Sequence, residues 1–278
     1  MADQTKSWPQ SYRQMVDRNI GLLSVAEQQH LRESKVCVLG LGGLGGTVLE
    51  VLVRCGIGAF SVVDKDTFEA SNLNRQLLAV NETLGQKKID VAVERARAIN
   101  PQVVVETAET VTKQNVDHLL DGAAAAVMAI DQLPPCILVS RAARRLGVPL
   151  VEGWAIPYAN VRTFTRDTPT LEECYGLPTA GRDLEAISED ELKQCQLKVL
   201  LGLQRFEGVD GYYDEATLEQ IRKGRLTSFA PMVWFTAVLM AVETTKILLG
   251  WGDLALAPDV ALYDPFRNRI PDQGTRGG

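Results

Sequence analysis

The run Gly40-Leu41-Gly42-Gly43-Leu44-Gly45 matches G-x-G-x-x-G and directly follows a short apolar stretch. Its chemistry is the holding of a phosphate. Glycines let backbone N–H groups approach an anion closely, and the helix that opens there supplies partial positive charge. Asp64, about twenty residues on, ends the next apolar stretch, where a carboxylate accepts bonds from both ribose hydroxyls. Alone, this pairing favours a dinucleotide and an NAD-dependent oxidoreductase. The residues that follow point elsewhere. Arg75 and Lys88 place two cations close in sequence to the ribose-binding carboxylate. Hydride transfer needs no such cluster, whereas a triphosphate needs its charge, and the charge developing at phosphorus, neutralised. The P-loop pattern G-x-x-x-x-G-K-[ST] is absent, and so is a Tyr-x-x-x-Lys constellation.

The surrounding pattern predicts the elements that carry these groups. Ser24 and Glu27 form a capping box for a helix running to about Glu33. Residues 35–39 read as a strand, 40–46 as a glycine-rich turn, 47–55 as an apolar-faced helix and 60–63 as a second strand, together a βαβ unit with parallel strands. The alternation continues with a helix at 87–99, a strand at 103–105, a short helix at 116–120 and a strand at 124–130. A helix at 138–146, placed after the Pro134-Pro135 break, and a strand at 148–151 follow. The expected fold is α/β: a Rossmann-like, doubly wound, mostly parallel sheet with a helical and loop insertion towards its C-terminal part. The expected organisation is an arm and helix over residues 1–34, a nucleotide-binding domain over 35–166 and an insertion or lid over 167–227. A helix and strands over 228–270 complete the domain, and 271–278 form a disordered tail.

Composition narrows the class. Of 278 residues, 46% are hydrophobic and 23% charged, as in an ordinary globular protein, and the net charge of −6 argues against a nucleic-acid face. The apolar run 229–242 is followed by Glu243 and Lys246, short of the roughly 18–20 residues of a membrane span, so it reads as a buried helix. The first thirty residues are polar without a signal-peptide core, and a cytoplasmic setting is expected. Five cysteines are scattered without a C-x-x-C pair, against a disulfide framework or a four-cysteine zinc site. His30 and His118 stand on polar helical stretches as surface residues.

The glycine run, Asp64-Lys65-Asp66, Ser71-Asn72-Leu73-Asn74-Arg75-Gln76, Gly85-Gln86-Lys87-Lys88 and Ala129-Ile130-Asp131 together resemble the ThiF/MoeB/HesA superfamily of ubiquitin-activating-enzyme-like adenylyltransferases. The resemblance implies ATP and Mg2+ as cofactors and adenylation of a carboxylate, a ubiquitin-like or sulfur-carrier C-terminus or a small acid. It implies that Gly40, Gly42, Gly43, Gly45, Asp64 and Asp66 help hold the nucleotide, that Asn72, Arg75 and Lys88 contact phosphates, and that Asp131 sits at Mg2+. Arg18 matches the family's N-terminal arginine, which reaches the neighbouring subunit's site and so implies a homodimer. Family members that go on to a covalent intermediate use a cysteine in the insertion, where Cys174 and Cys195 are the candidates. The two C-x-x-C pairs of many relatives are missing, so zinc is not expected, and Met128 stands where close relatives often carry an acid. The competing readings are a tRNA-modifying dehydratase of the same superfamily and a non-catalytic, heterodimerising pseudoenzyme. The Gly277-Gly278 end resembles the diglycine that the family adenylates.

Overall fold

A computed structural model describes residues 4–203, 213–223 and 227–270. Helices α1 (Gln10–Val16) and α2 (Val25–Glu33) precede strand β1 (Lys35–Leu39). Then come α3 (Gly43–Arg54), β2 (Ala59–Val63), α4 (Lys88–Ile99), β3 (Val104–Ala108), α5 (Val116–Leu120) and β4 (Ala125–Met128). Helix α6 (Leu133–Leu146) leads to β5 (Leu150–Glu152) and β6 (Ala159–Phe164). Helices α7 (Leu171–Cys174), α8 (Glu189–Leu203), α9 (Glu215–Arg222) and α10 (Ala230–Leu249) come before β7 (Ala261–Tyr263). The strands form one sheet in the order β3-β2-β1-β4-β5-β6-β7. The first five are parallel, β6 pairs antiparallel with β5, and β7 pairs antiparallel with β6. Strand order reverses between β1 and β4, the kind of crevice at which open α/β sheets bind ligands.

Side-chain alternation along β1 explains the two layers. Val36 and Val38 enter a core with α2, α3, α4 and α10, while Cys37 and Leu39 face the other way into a core with α5, α6 and the insertion. The capping box forms as expected, with Ser24 and Glu27 bonding each other's backbone N–H groups. Three expectations change. Pro134 and Pro135 do not break α6 but sit in its first turn, where a missing N–H removes no intrahelical bond, so the helix starts at Leu133. Strand β6 was not anticipated, because its six residues are all buried although Asn160, Arg162 and Thr163 are polar. Helix α10 runs for 20 residues and by length and composition would reach across a bilayer, yet half of that span is buried within the fold. Its apparent end at Glu243 is internal: the buried Glu243 pairs with Lys246 at 2.6 Å and accepts bonds from Thr163 Oγ1 and Ala255 N. The tail expectations at residues 271–278 lie outside the described residues.

Candidate nucleotide-binding and transfer site

A cavity of about 590 Å³ opens at the carboxyl ends of β1, β2, β4 and β5, a volume typical of small-molecule sites. Three glycines of the loop beneath it have different tasks. Gly40 turns with φ +93°, and a Cβ there would lie 2.5 Å from the Ala129 carbonyl oxygen. At Gly45 a Cβ would lie 1.8 Å from the Gly40 carbonyl oxygen, so this glycine lets α3 press onto the loop and does not line the cavity. Gly42 lines the cavity with room beside it: the nearest neighbour of a Cβ there would be Gln76 Nε2 at 3.6 Å. It also forms the N-cap of α3 without a side-chain bond, which leaves the helix's first N–H groups available to an anion.

Asp64 ties the loop to the end of β2. Its Oδ2 accepts from Leu41 N at 2.7 Å and its Oδ1 from Asp66 N at 2.9 Å. Each oxygen keeps a second lone pair, enough for two ribose hydroxyls. Lys88 is buried at the start of α4, with its ammonium 3.1 Å from the exposed Asp66 carboxylate and its N–H bonded to Asp66 O. Asp66 therefore aims Lys88 at the cavity that both line. Arg75 is half-buried; its Nη1 donates to Ser71 O and Asn74 Oδ1, and its carbonyl accepts from Trp234 Nε1 at 2.8 Å. Asp131 faces the cavity from the turn after β4, and its carboxylate has no hydrogen-bond partner among the described residues. That turn is held from the insertion: Gln196 of α8 donates to Asp131 O at 3.0 Å and accepts from Leu133 N at 2.7 Å. Leu200, Tyr213 and Ile221, also from the insertion, complete the wall.

The structure does not bring every expected residue here. Asn72 is buried beside the cavity, and its side chain closes the turn before Arg75 by accepting from Glu69 N and donating to Ser71 Oγ, so it supports the arginine. Cys174 ends α7 half-buried against the second core, outside the cavity lining. Cys195 is a core residue whose thiol is pushed up by burial. Arg18 is exposed on the turn Asp17–Asn19. The adjoining Asn19 bonds Cys55 O, at the far end of α3 from the glycine loop. The 12 residues of α3 span about 18 Å, so Arg18 cannot reach the cavity of its own chain. Gln76 and Glu152 are among the cavity residues without an assigned role in the sequence. Gln76 lies in the Asn-Arg-Gln run and carries a buried Oε1 without a partner among the described residues; Glu152 ends β5, and no local pattern marks it.

Over residues 16–275 the sequence matches the ThiF family. The chain belongs to the ThiF family. Among its relatives are the sulfur carrier protein adenylyltransferase of Thermus thermophilus, 41% identical over 143 residues (51% of this chain, 52% of the relative). The SAMP-activating enzyme E1 of Haloferax volcanii is 39% identical over 127 residues (45% and 47%). The tRNA threonylcarbamoyladenosine dehydratase of Escherichia coli is 34% identical over 143 residues (51% and 53%). The chain thus aligns with about half the length of these curated relatives. Of solved structures, E. coli MccB with ATP superposes with a TM-score of 0.67 at 20% identity, covering 94% of this chain and 72% of that one. At that identity the likeness shows a shared ThiF-type fold.

Proposed function

We propose that this ThiF-family chain is an ATP- and Mg2+-dependent adenylyltransferase that activates a carboxylate as an acyl-adenylate. The observation that carries the reading is one cavity holding an uncapped helix N-terminus, the ribose-competent Asp64, the cations Arg75 and Lys88, and the unpartnered Asp131. A carboxylate oxygen of the acceptor forms a bond to the α-phosphorus of ATP. The bond from that phosphorus to the oxygen bridging the β-phosphate breaks, and pyrophosphate leaves with the electron pair. The acceptor is ionised near neutral pH, so no general base is required. The obstacle is like-charge repulsion, which Arg75, Lys88 and the α3 N–H groups counter by fixed positive charge in place before reaction.

Among the described residues no cluster of three or more His, Cys, Asp or Glu forms a metal cage. Mg2+ requires no such cluster, because it binds through one or two carboxylates plus substrate phosphates and water. Asp131 is the carboxylate free to hold it, and the ion would supply further charge neutralisation at the phosphates. We propose that Arg18 acts on a second copy's site in a homodimer, since it lies beyond reach of its own. The acceptor is a ubiquitin-like or sulfur-carrier C-terminus or a small acid, as the names of the T. thermophilus and H. volcanii relatives suggest. The dehydratase relative makes tRNA the rival acceptor, but a net charge of −6 lacks the excess of cations that tracks a phosphate backbone. ATP–pyrophosphate exchange with candidate carboxylates tests the reading. Tighter binding of NAD than of ATP by calorimetry would overturn it.

A further inference from the structure

Gln76 follows Arg75 where the chain doubles back: its N–H donates to Asn72 O at 2.9 Å, and its carbonyl accepts from Ala79 N at 2.9 Å. The residue is 7% exposed and lines the cavity. The two ends of its side-chain amide differ. Oε1 is enclosed and has no partner among the described residues. Nε2 also bonds none of them, but it is not enclosed. It is the nearest atom to the space beside Gly42, 3.6 Å from where a Cβ on that glycine would stand, with Cδ behind it at 3.9 Å.

As packing, glutamine is a poor choice at this place. Burying an amide whose hydrogen bonds are unmet costs free energy, and methionine would fill a similar volume without that cost. The amide is explained by what Nε2 can donate to, and its surroundings identify the acceptor. The uncapped N-terminus of α3 begins at Gly42, and Arg75 and Lys88 line the same cavity, so fixed positive charge surrounds this space. An anion suits it, and the N–H end of an amide is the end that can face an anion. Asp64 says which anion. Its Oδ2 is tied to Leu41 N, one residue before Gly42, so a ribose held by that carboxylate leaves the first phosphate of its chain beside Gly42.

We infer that Gln76 is a further catalytic residue, its Nε2 donating to a non-bridging oxygen of the α-phosphate. The inference rests on the adenylyltransferase reading and adds a neutral donor to its cations. Gln76 exchanges no proton and forms no covalent bond. As the acceptor oxygen bonds to the α-phosphorus and the bond to pyrophosphate breaks, negative charge is spread over the non-bridging oxygens. A donor already fixed in place stabilises that charge.

The test is calorimetric binding, with Mg2+, of ATP, of adenosine and of the two ATP diastereomers that carry sulfur at a non-bridging α-position. It compares the full chain with Gln76→Met. Methionine removes the donor and keeps the bulk, and this variant should hold or raise the Tm because an unmet buried oxygen is gone. ATP affinity should fall by about 10- to 100-fold, the range for a hydrogen bond to a charged group, with adenosine affinity unchanged. Sulfur is a weak acceptor, so placing it where Nε2 donates removes the same bond that the substitution removes, and the two losses should not add. The ratio of affinities for the two diastereomers should therefore differ between wild type and variant, while contacts to Mg2+ are common to both. Gln76→Glu, nearly the same in outline, should lose more ATP affinity, because it sets an anion against the phosphate, and it carries the test if the methionine variant does not fold. Wild-type ATP affinity with an unchanged diastereomer ratio overturns the inference. So does a loss shared by adenosine, or failure of both variants to fold, either of which would make Gln76 a structural residue. No ATP binding by the wild type overturns the adenylyltransferase reading with it.

Discussion

The side of the cavity proposed to hold the nucleotide is tied together mostly within residues 40–88, the side proposed for the acceptor mostly by contacts to β6 and the insertion. Asp64 is fixed by Leu41 N and Asp66 N, Lys88 by Asp66, and the Arg75 guanidinium by Ser71 and Asn74. Opposite them, the Asp131 turn is clamped by Gln196 of α8, and Glu152 by Arg162 and Tyr175. Trp234 on α10 crosses over to hold the Arg75 carbonyl, which joins the two sides. A site built this way keeps its nucleotide geometry as a property of one βαβ unit, while the geometry toward the second substrate depends on the insertion and on strands added later in the chain.

Breaking the first side should give the largest effects. Gly45→Ala sets a Cβ 1.8 Å from a backbone oxygen that cannot swing away, so we expect about 3 kcal/mol or more of lost stability, seen as a lowered Tm or no soluble protein. Gly42→Ala, with only ordinary contacts around it, should keep the Tm and weaken ATP binding instead, because the methyl group stands where the phosphate approaches. A stable Gly45→Ala protein would show that α3 does not press on the loop in solution.

Next in size is the dependence on a second copy. Arg18→Ala and Asp131→Ala should each lose on the order of 10³-fold in pyrophosphate exchange, as loss of an arginine finger does. Mixed and allowed to exchange subunits, they should partly recover, since one of the two sites in the mixed dimer keeps both residues. No recovery after verified exchange would place Arg18 outside the chemistry.

Lys88→Ala removes a buried cation from the nucleotide side alone. ATP affinity should fall by about 1.5–3 kcal/mol, the worth of a charge-assisted contact, with the KM for the acceptor nearly unchanged. An acceptor effect as large as the ATP effect would dissolve the distinction between the two sides. The smallest change is expected for Gln196→Ala, which loosens the Asp131 turn from α8. It should raise the acceptor KM a few-fold, roughly the loss of one or two neutral hydrogen bonds, and leave ATP affinity alone.

The nucleotide side was legible in the sequence because its logic is local. The glycine spacing, Asp64 at a strand end and the basic residues after it lie within about fifty positions, and their geometry follows from one crossover unit. The sequence could not separate the glycines by task, since ligand approach at Gly42 and helix packing at Gly45 look alike as letters. Nor did it show that Asn72 turns inward to support Arg75 while the equally polar Gln76 faces the cavity. Cys174 and Cys195 were candidates only because they fall in the insertion; burial and packing place them against the second core.

By itself the sequence determined the alternating α/β order, the capping box at Ser24, and the glycine loop and two cations that line one cavity. Each follows from periodicity, backbone freedom or charge within a short window. Only the tertiary structure decided that β6 is a strand: its buried polar residues find partners on β5, the Trp154 loop and α10. It also decided that Arg18 lies about a helix length from the cavity of its own chain. Glu152 came to line the cavity for the same reason. A hydrogen-bond partner ten or eighty positions away leaves no periodic trace in a sequence, and burial is a property of the assembled fold.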